Sequence, residues 1–121
     1  MTLDSILKKL VSSVDGATGV IVVAFDGESV QCYSTNESGE RLQLRGAYVS
    51  VVMEALRKSA SRAGLGALMH LVLEYETANL VAQEIDDDCF AVLELSAGTN
   101  IGEAIYRLHK SKNILRDEIN L

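Results

Sequence analysis

The sequence has no proline and no tryptophan, only two cysteines, and only 5% aromatic residues in 121 positions. With no proline-rich stretch, repeat or low-complexity tract, nothing marks a linker between domains. Cys32 and Cys89 make no disulfide framework and lack the spacing of metal ligands. Base is also scarce, with 11 Lys and Arg against 17 Asp and Glu, a net charge of −6. That balance argues against generic nucleic-acid binding, which needs clustered Lys and Arg to neutralise phosphate. The longest apolar run, Val20 to Phe25, is far short of the ~20 residues that cross a bilayer, so no membrane insertion is expected. Lys8 and Lys9 interrupt the first apolar segment, Met1 to Val14, so it does not read as a signal peptide. The expectation is a soluble, cytoplasmic protein.

What is present is a single core-forming domain, residues 1–121. Hydrophobic residues make up 48% of the chain, too many for disorder. A chain of this size buries roughly 65% of the surface it exposes when unfolded. Leu3, Ile6, Leu7, Leu10, Val11 and Val14 repeat with helical spacing, and Asp15-Gly16 offers a stop. Gly19 to Phe25 is apolar on both faces and reads as a central strand. Asp26-Gly27 then signals a two-residue type I′ hairpin, opposing Val23 to Val30 and Ile21 to Cys32. The half-polar second strand suits a sheet edge.

Helical spacing returns from about Leu42 to Ala63, with Leu44, Tyr48, Val51, Val52, Ala55, Leu56 and Ser59 on one face. Gly64-Leu65-Gly66 stops that helix. Ala67 to Tyr75, Asn79 to Ile85 and Cys89 to Leu95 read as three strands, with turns near Thr77-Ala78 and at Asp86-Asp87-Asp88. Asn100 and Glu103 resemble a capping box at the start of a last helix that runs to about Ile119. The order is α-β-β-α-β-β-β-α. Short strand links imply antiparallel neighbours, and doubly apolar strands imply helices on both faces. The fold class is therefore α/β: a three-layer α-β-α sandwich around a five-stranded, mostly antiparallel sheet.

Catalytic signatures are missing. There is no P-loop, HExxH, GxSxG or CxxC, and Met69 stands where a dinucleotide fingerprint would need glycine. Cys32 or Cys89 with His70 or His109 reads better as small buried hydrophobes than as a thiol–imidazole pair. The acidic turn beside Cys89 would raise its thiol pKa. Asp86 to Asp88 lacks the alternating spacing and glycine of a calcium loop and reads as a solvated turn. No catalytic residue, metal or cofactor is expected, and the chain reads as a non-enzyme.

The hairpin GVIVVAFDGESV (Gly19 to Val30), the long middle helix, the three-strand meander and the segment SAGTNIGEAIYRL (Ser96 to Leu108) together resemble the roadblock family. That family includes dynein roadblock light chains and bacterial MglB-type GTPase regulators, and the resemblance runs from Leu3 to Leu115. It implies a roadblock/profilin-like sheet in the order 2-1-5-4-3. It also implies homodimers, or heterodimers with a paralogue, that pair the middle helix and third strand across a two-fold. Tyr48, Val51, Val52 and Ala55 of the helix, with Leu68, His70, Leu71 and Val72 of the strand, would line that interface. A nearly apolar edge strand invites such pairing on physical grounds as well. His70 would then lie near its symmetry mate, a position that could respond to pH.

The charge is unevenly placed, and it reads either as an ordinary solvated helix face with bases near its C-terminus or as a partner surface. Residues 41 to 62 hold five bases against one acid, net +4, which leaves −10 for the rest. A basic stripe can steer an acidic protein partner. The resemblance implies that this region contributes to docking a small Ras-like GTPase, with Arg45, Glu54, Arg57, Lys58 and Arg62 as contact candidates. The leading expectation is a dimeric GTPase regulator or scaffold, GTPase-activating or co-regulatory. The alternative is an adaptor subunit of a motor or other assembly with no GTPase partner.

Overall fold

The computed structural model describes residues 2–36 and 39–120. Part of the polar loop expected at Asn36 to Glu40 thus lies outside the described residues. Eight elements follow in order: α1 (Leu3–Ser12), β1 (Ala17–Ala24), β2 (Ser29–Ser34), α2 (Glu40–Ala63), β3 (His70–Glu74), β4 (Ala78–Glu84), β5 (Cys89–Ser96) and α3 (Ile101–Ile119). The strands form one antiparallel sheet in the order β2-β1-β5-β4-β3.

Alternation along the strands divides the core between the two faces. Val20, Val22, Val81, Ala91, Leu93 and Leu95 face α1 and α3, and meet Leu7, Leu10, Leu108 and Leu115 there. Ile21, Val23, Leu80, Ala82, Phe90 and Val92 face α2, and meet Leu42, Val49 and Met53. The sheet is covered on both sides, which accounts for the apolar character of β1 and β5 on both faces.

Two helix starts are capped by side chains, and of these the Asn100 cap was expected from the sequence. Thr2 Oγ1 accepts from the Ser5 amide at 3.1 Å, and Asn100 Oδ1 accepts from the Glu103 amide at 3.1 Å. Gly64 closes α2 in the left-handed conformation, φ 66°. The first helix stops at Ser12, before the Asp15-Gly16 pair. Gly16 serves the following turn instead, at φ 87° and pressed against Thr99.

Two further expectations change. The hairpin loop has three residues, not two. The Ala24 amide donates to the Glu28 carbonyl at 2.8 Å, the Gly27 amide to the Ala24 carbonyl at 2.9 Å, and only Gly27 has positive φ. A type I′ turn would need positive φ at Asp26 as well. Ile21 still opposes Cys32, but Val23 opposes Ser29, and the irregularity leaves Val30 unpaired and 49% exposed. Second, β3 begins at His70 rather than Ala67. Its first pairing is His70 with Gln83; in that register Met69 would face Glu84, the last residue of β4, and residues 67 and 68 lie beyond the end of that strand.

Candidate functional site

Two apolar stripes run along α2. The inner one, Leu42, Val49, Met53 and Ala60, packs on the sheet, and Gly46 sits where the helix comes nearest to Ile21 and Val23. The outer one is the stripe read from the sequence, and it faces away from the sheet. Tyr48 is 68% exposed and Val51 69%, with Leu44, Val52 and Ala55 also exposed. Isolated exposed apolar side chains are ordinary, but a contiguous row on one helix is a candidate interaction surface.

This row continues toward β3. Tyr48 and Val52 share a groove of about 310 Å³ with Leu73 and Tyr75, and Arg45 and Thr77 lie at its edges. β3 forms the end of the sheet and, among the described residues, pairs only with β4. Its side chains alternate: Leu71 and Leu73 pack toward α2, Val72 toward the α1 and α3 layer, and His70 is exposed. Leu68 lies before the strand and packs half-buried beside the α2-side core. Met69 and Leu65, in the link from α2, are 57% and 76% exposed. An apolar helix face and an open strand edge thus lie side by side.

The charged candidates occupy different environments. Arg45 pairs with Glu94, which is only 6% exposed, and Thr18 Oγ1 donates to the same carboxylate at 2.7 Å. Arg45 therefore helps hold α2 to the centre of the sheet. Arg57 lies 3.8 Å over the Phe25 ring, donates to the Asp87 carbonyl at 3.3 Å and pairs with Glu54 at 3.5 Å. It ties α2 to two turns at one end of the sheet. Lys58 and Arg62 are exposed on the outer side of α2, beyond the apolar row.

The remaining candidates are structural in their surroundings. Asp86 Oδ1 accepts from the amides of Asp88, at 2.8 Å, and Cys89, at 3.0 Å. Burial of Asp86 works to raise its pKa, but these bonds together prevail and hold it below the usual carboxylate value. The same turn acts oppositely on Cys89, whose thiol is pushed up to about 12 by burial and then by the Asp86 charge. Cys32 is half-buried on β2. Among the described residues, no group of three or more His, Cys, Asp and Glu is placed to hold a metal. No helix is long and apolar enough to cross a membrane.

Sequence reasoning placed Leu44 on the outer stripe but named none of Leu44, Leu73 and Tyr75 as an interface residue. Leu44 carried the signal, since it falls in the same helical stripe. The Glu94 partner of Arg45 had no signal, being 49 positions away on another element.

No protein-family model and no curated protein sequence matches the chain. Among solved structures, a roadblock/LC7 domain from Streptomyces avermitilis superposes with a TM-score of 0.87 at 16% identity, each chain covered completely. MglB from Myxococcus xanthus gives 0.84 at 14% identity, covering 98% of this chain and 94% of that one. MglC from Myxococcus xanthus gives 0.69 at 32% identity, covering 98% of this chain and 99% of the other. That identity holds across nearly both full lengths, and the strand order and helix placement agree with the roadblock fold; the chain belongs to the roadblock/LC7 domain family.

Proposed function

We propose that the protein is a non-enzymatic dimeric regulator or scaffold of a small Ras-like GTPase. The observation that carries this reading is the exposed apolar row of α2 beside the open β3 edge. An isologous pairing through that surface would cover both copies of the row at once and extend the sheet across the two-fold. The MglB and MglC likenesses support a place in GTPase control. The mechanism would be positional: the dimer binds one conformation of the GTPase switch region better than the other and so shifts its population.

Lys58 and Arg62 are the docking contacts of choice, because Arg45 and Arg57 already serve the fold. The test is a titration of candidate Ras-like GTPases from the host, loaded with GDP or a GTP analogue. A preference for one nucleotide state is expected. Lys58→Glu with Arg62→Glu should weaken binding at least tenfold at low salt while sedimentation still reports a dimer. Unchanged affinity would remove this end of α2 from the docking surface. Capture of a filament or motor assembly, with no GTPase bound in either state, would favour the adaptor reading instead.

A further inference from the structure

We infer that the outer face of α3 is a second docking surface, separate from α2 and β3, for a carboxylate-bearing protein segment with apolar anchors. α3 covers the opposite side of the sheet from α2, so its outer face stays open when the α2 face is occupied. Tyr106 is 57% exposed and Ile114 41%, eight residues apart on that face. Arg107 and Lys110 lie between them at helical spacing. The Lys110 Nζ stands 5.6 Å from the Tyr106 ring centre and the Arg107 guanidinium carbon 5.8 Å.

Charge complementarity selects the occupant. Residues 106 to 116 contain four bases and no acid, although the whole chain is at −6. Neither Arg107 nor Lys110 forms an ion pair among the described residues. A guanidinium suits a carboxylate best. Two cations with an exposed tyrosine and isoleucine on either side fit a segment that brings carboxylates between apolar side chains. Tyr and Arg are also the residues that anchor protein interfaces most often.

The probe is a fluorescent helical peptide with leucine at every fourth position and glutamate beside each leucine, titrated into the full chain at low salt. Saturable binding is expected, weakened at least tenfold by Arg107→Glu with Lys110→Glu and by Tyr106→Ser. Val51→Glu on α2 should leave it unchanged, which separates this surface from the dimer face and from the GTPase reading. Circular dichroism confirms that each variant is folded. Three results would overturn the inference: no binding, equal binding of a peptide with lysine in place of glutamate, or loss of binding only with Val51→Glu. A change of oligomer size on sedimentation of the α3 variants would also overturn it, by assigning the face to a second copy.

Discussion

Gly46 shows how the absence of one side chain fixes the seat of a helix. A Cβ there would fall 2.8 Å from Val23 Cγ2 and 3.3 Å from Ile21 Cγ2, both fully buried. Alanine would gain about 1 kcal/mol in helix propensity. Overpacking against stiff β-branched neighbours costs about 1–3 kcal/mol. Gly46→Ala should therefore lower stability by about 1 kcal/mol in urea unfolding, and Gly46→Val by more. Asp86 gives a second case, with a pH sign. Its folded pKa lies below the unfolded value, so its contribution is complete above that value and is lost as pH falls through the folded one. Asp86→Ala should cost about 1 kcal/mol at pH 7, and the gap to the unsubstituted protein should narrow in acid below about pH 4. Cys89 runs the other way: with its pKa at about 12, it stays a buried thiol at neutral pH. Iodoacetamide at pH 8 should modify it in urea and spare it in the folded protein, as read by mass spectrometry.

At the scale of elements, the ion pair between Arg45 on α2 and Glu94 on β5 joins a helix to the middle of the sheet. Arg45→Ala would leave a nearly buried carboxylate with Thr18 as its remaining side-chain partner among the described residues. Breaking a buried pair costs several kcal/mol; with the Arg45 side chain 30% exposed, about 2–3 kcal/mol is expected in denaturant unfolding. Replacing both residues by leucine should cost less than the single change. Most elements were legible in the sequence because their periods are clean. The misreadings have physical causes. Asp26-Gly27 can close either a two- or a three-residue loop, and here the Phe25 amide donates to the Asp88 carbonyl at 3.1 Å, a distant partner no local pattern shows. On α2, periodicity finds an apolar stripe but cannot say which of two stripes meets the sheet. Gly46, a small residue amid larger ones, marks the inner stripe.

For the whole molecule, the α2 part of the surface proposed for pairing is made of side chains that can be changed without touching the core. Tyr48→Glu and Val51→Glu alter residues 68% and 69% exposed, so folding should be retained. Light scattering should then report monomers if α2 carries the pairing; a dimer of unchanged strength would place the interface elsewhere. Leu71→Lys is a poorer probe, because Leu71 also packs toward α2 and its replacement would disturb the core. The surface proposed for pairing was only half legible in the sequence. The middle helix and third strand were identified, but their junction at Tyr48, Val52, Leu73 and Tyr75 arises from folding.

The two ends of the sheet are unequal, and that asymmetry limits growth. β3 is a regular strand with five consecutive pairings to β4. β2 is broken by an unpaired Val30 between Gln31 and Ser29, which twists that margin away from a flat template. Addition through β3 would leave a bulged strand at both outer limits of the joined sheet. Such an assembly would stop at two chains and ten strands, with a bulge at each outer margin to discourage further strands.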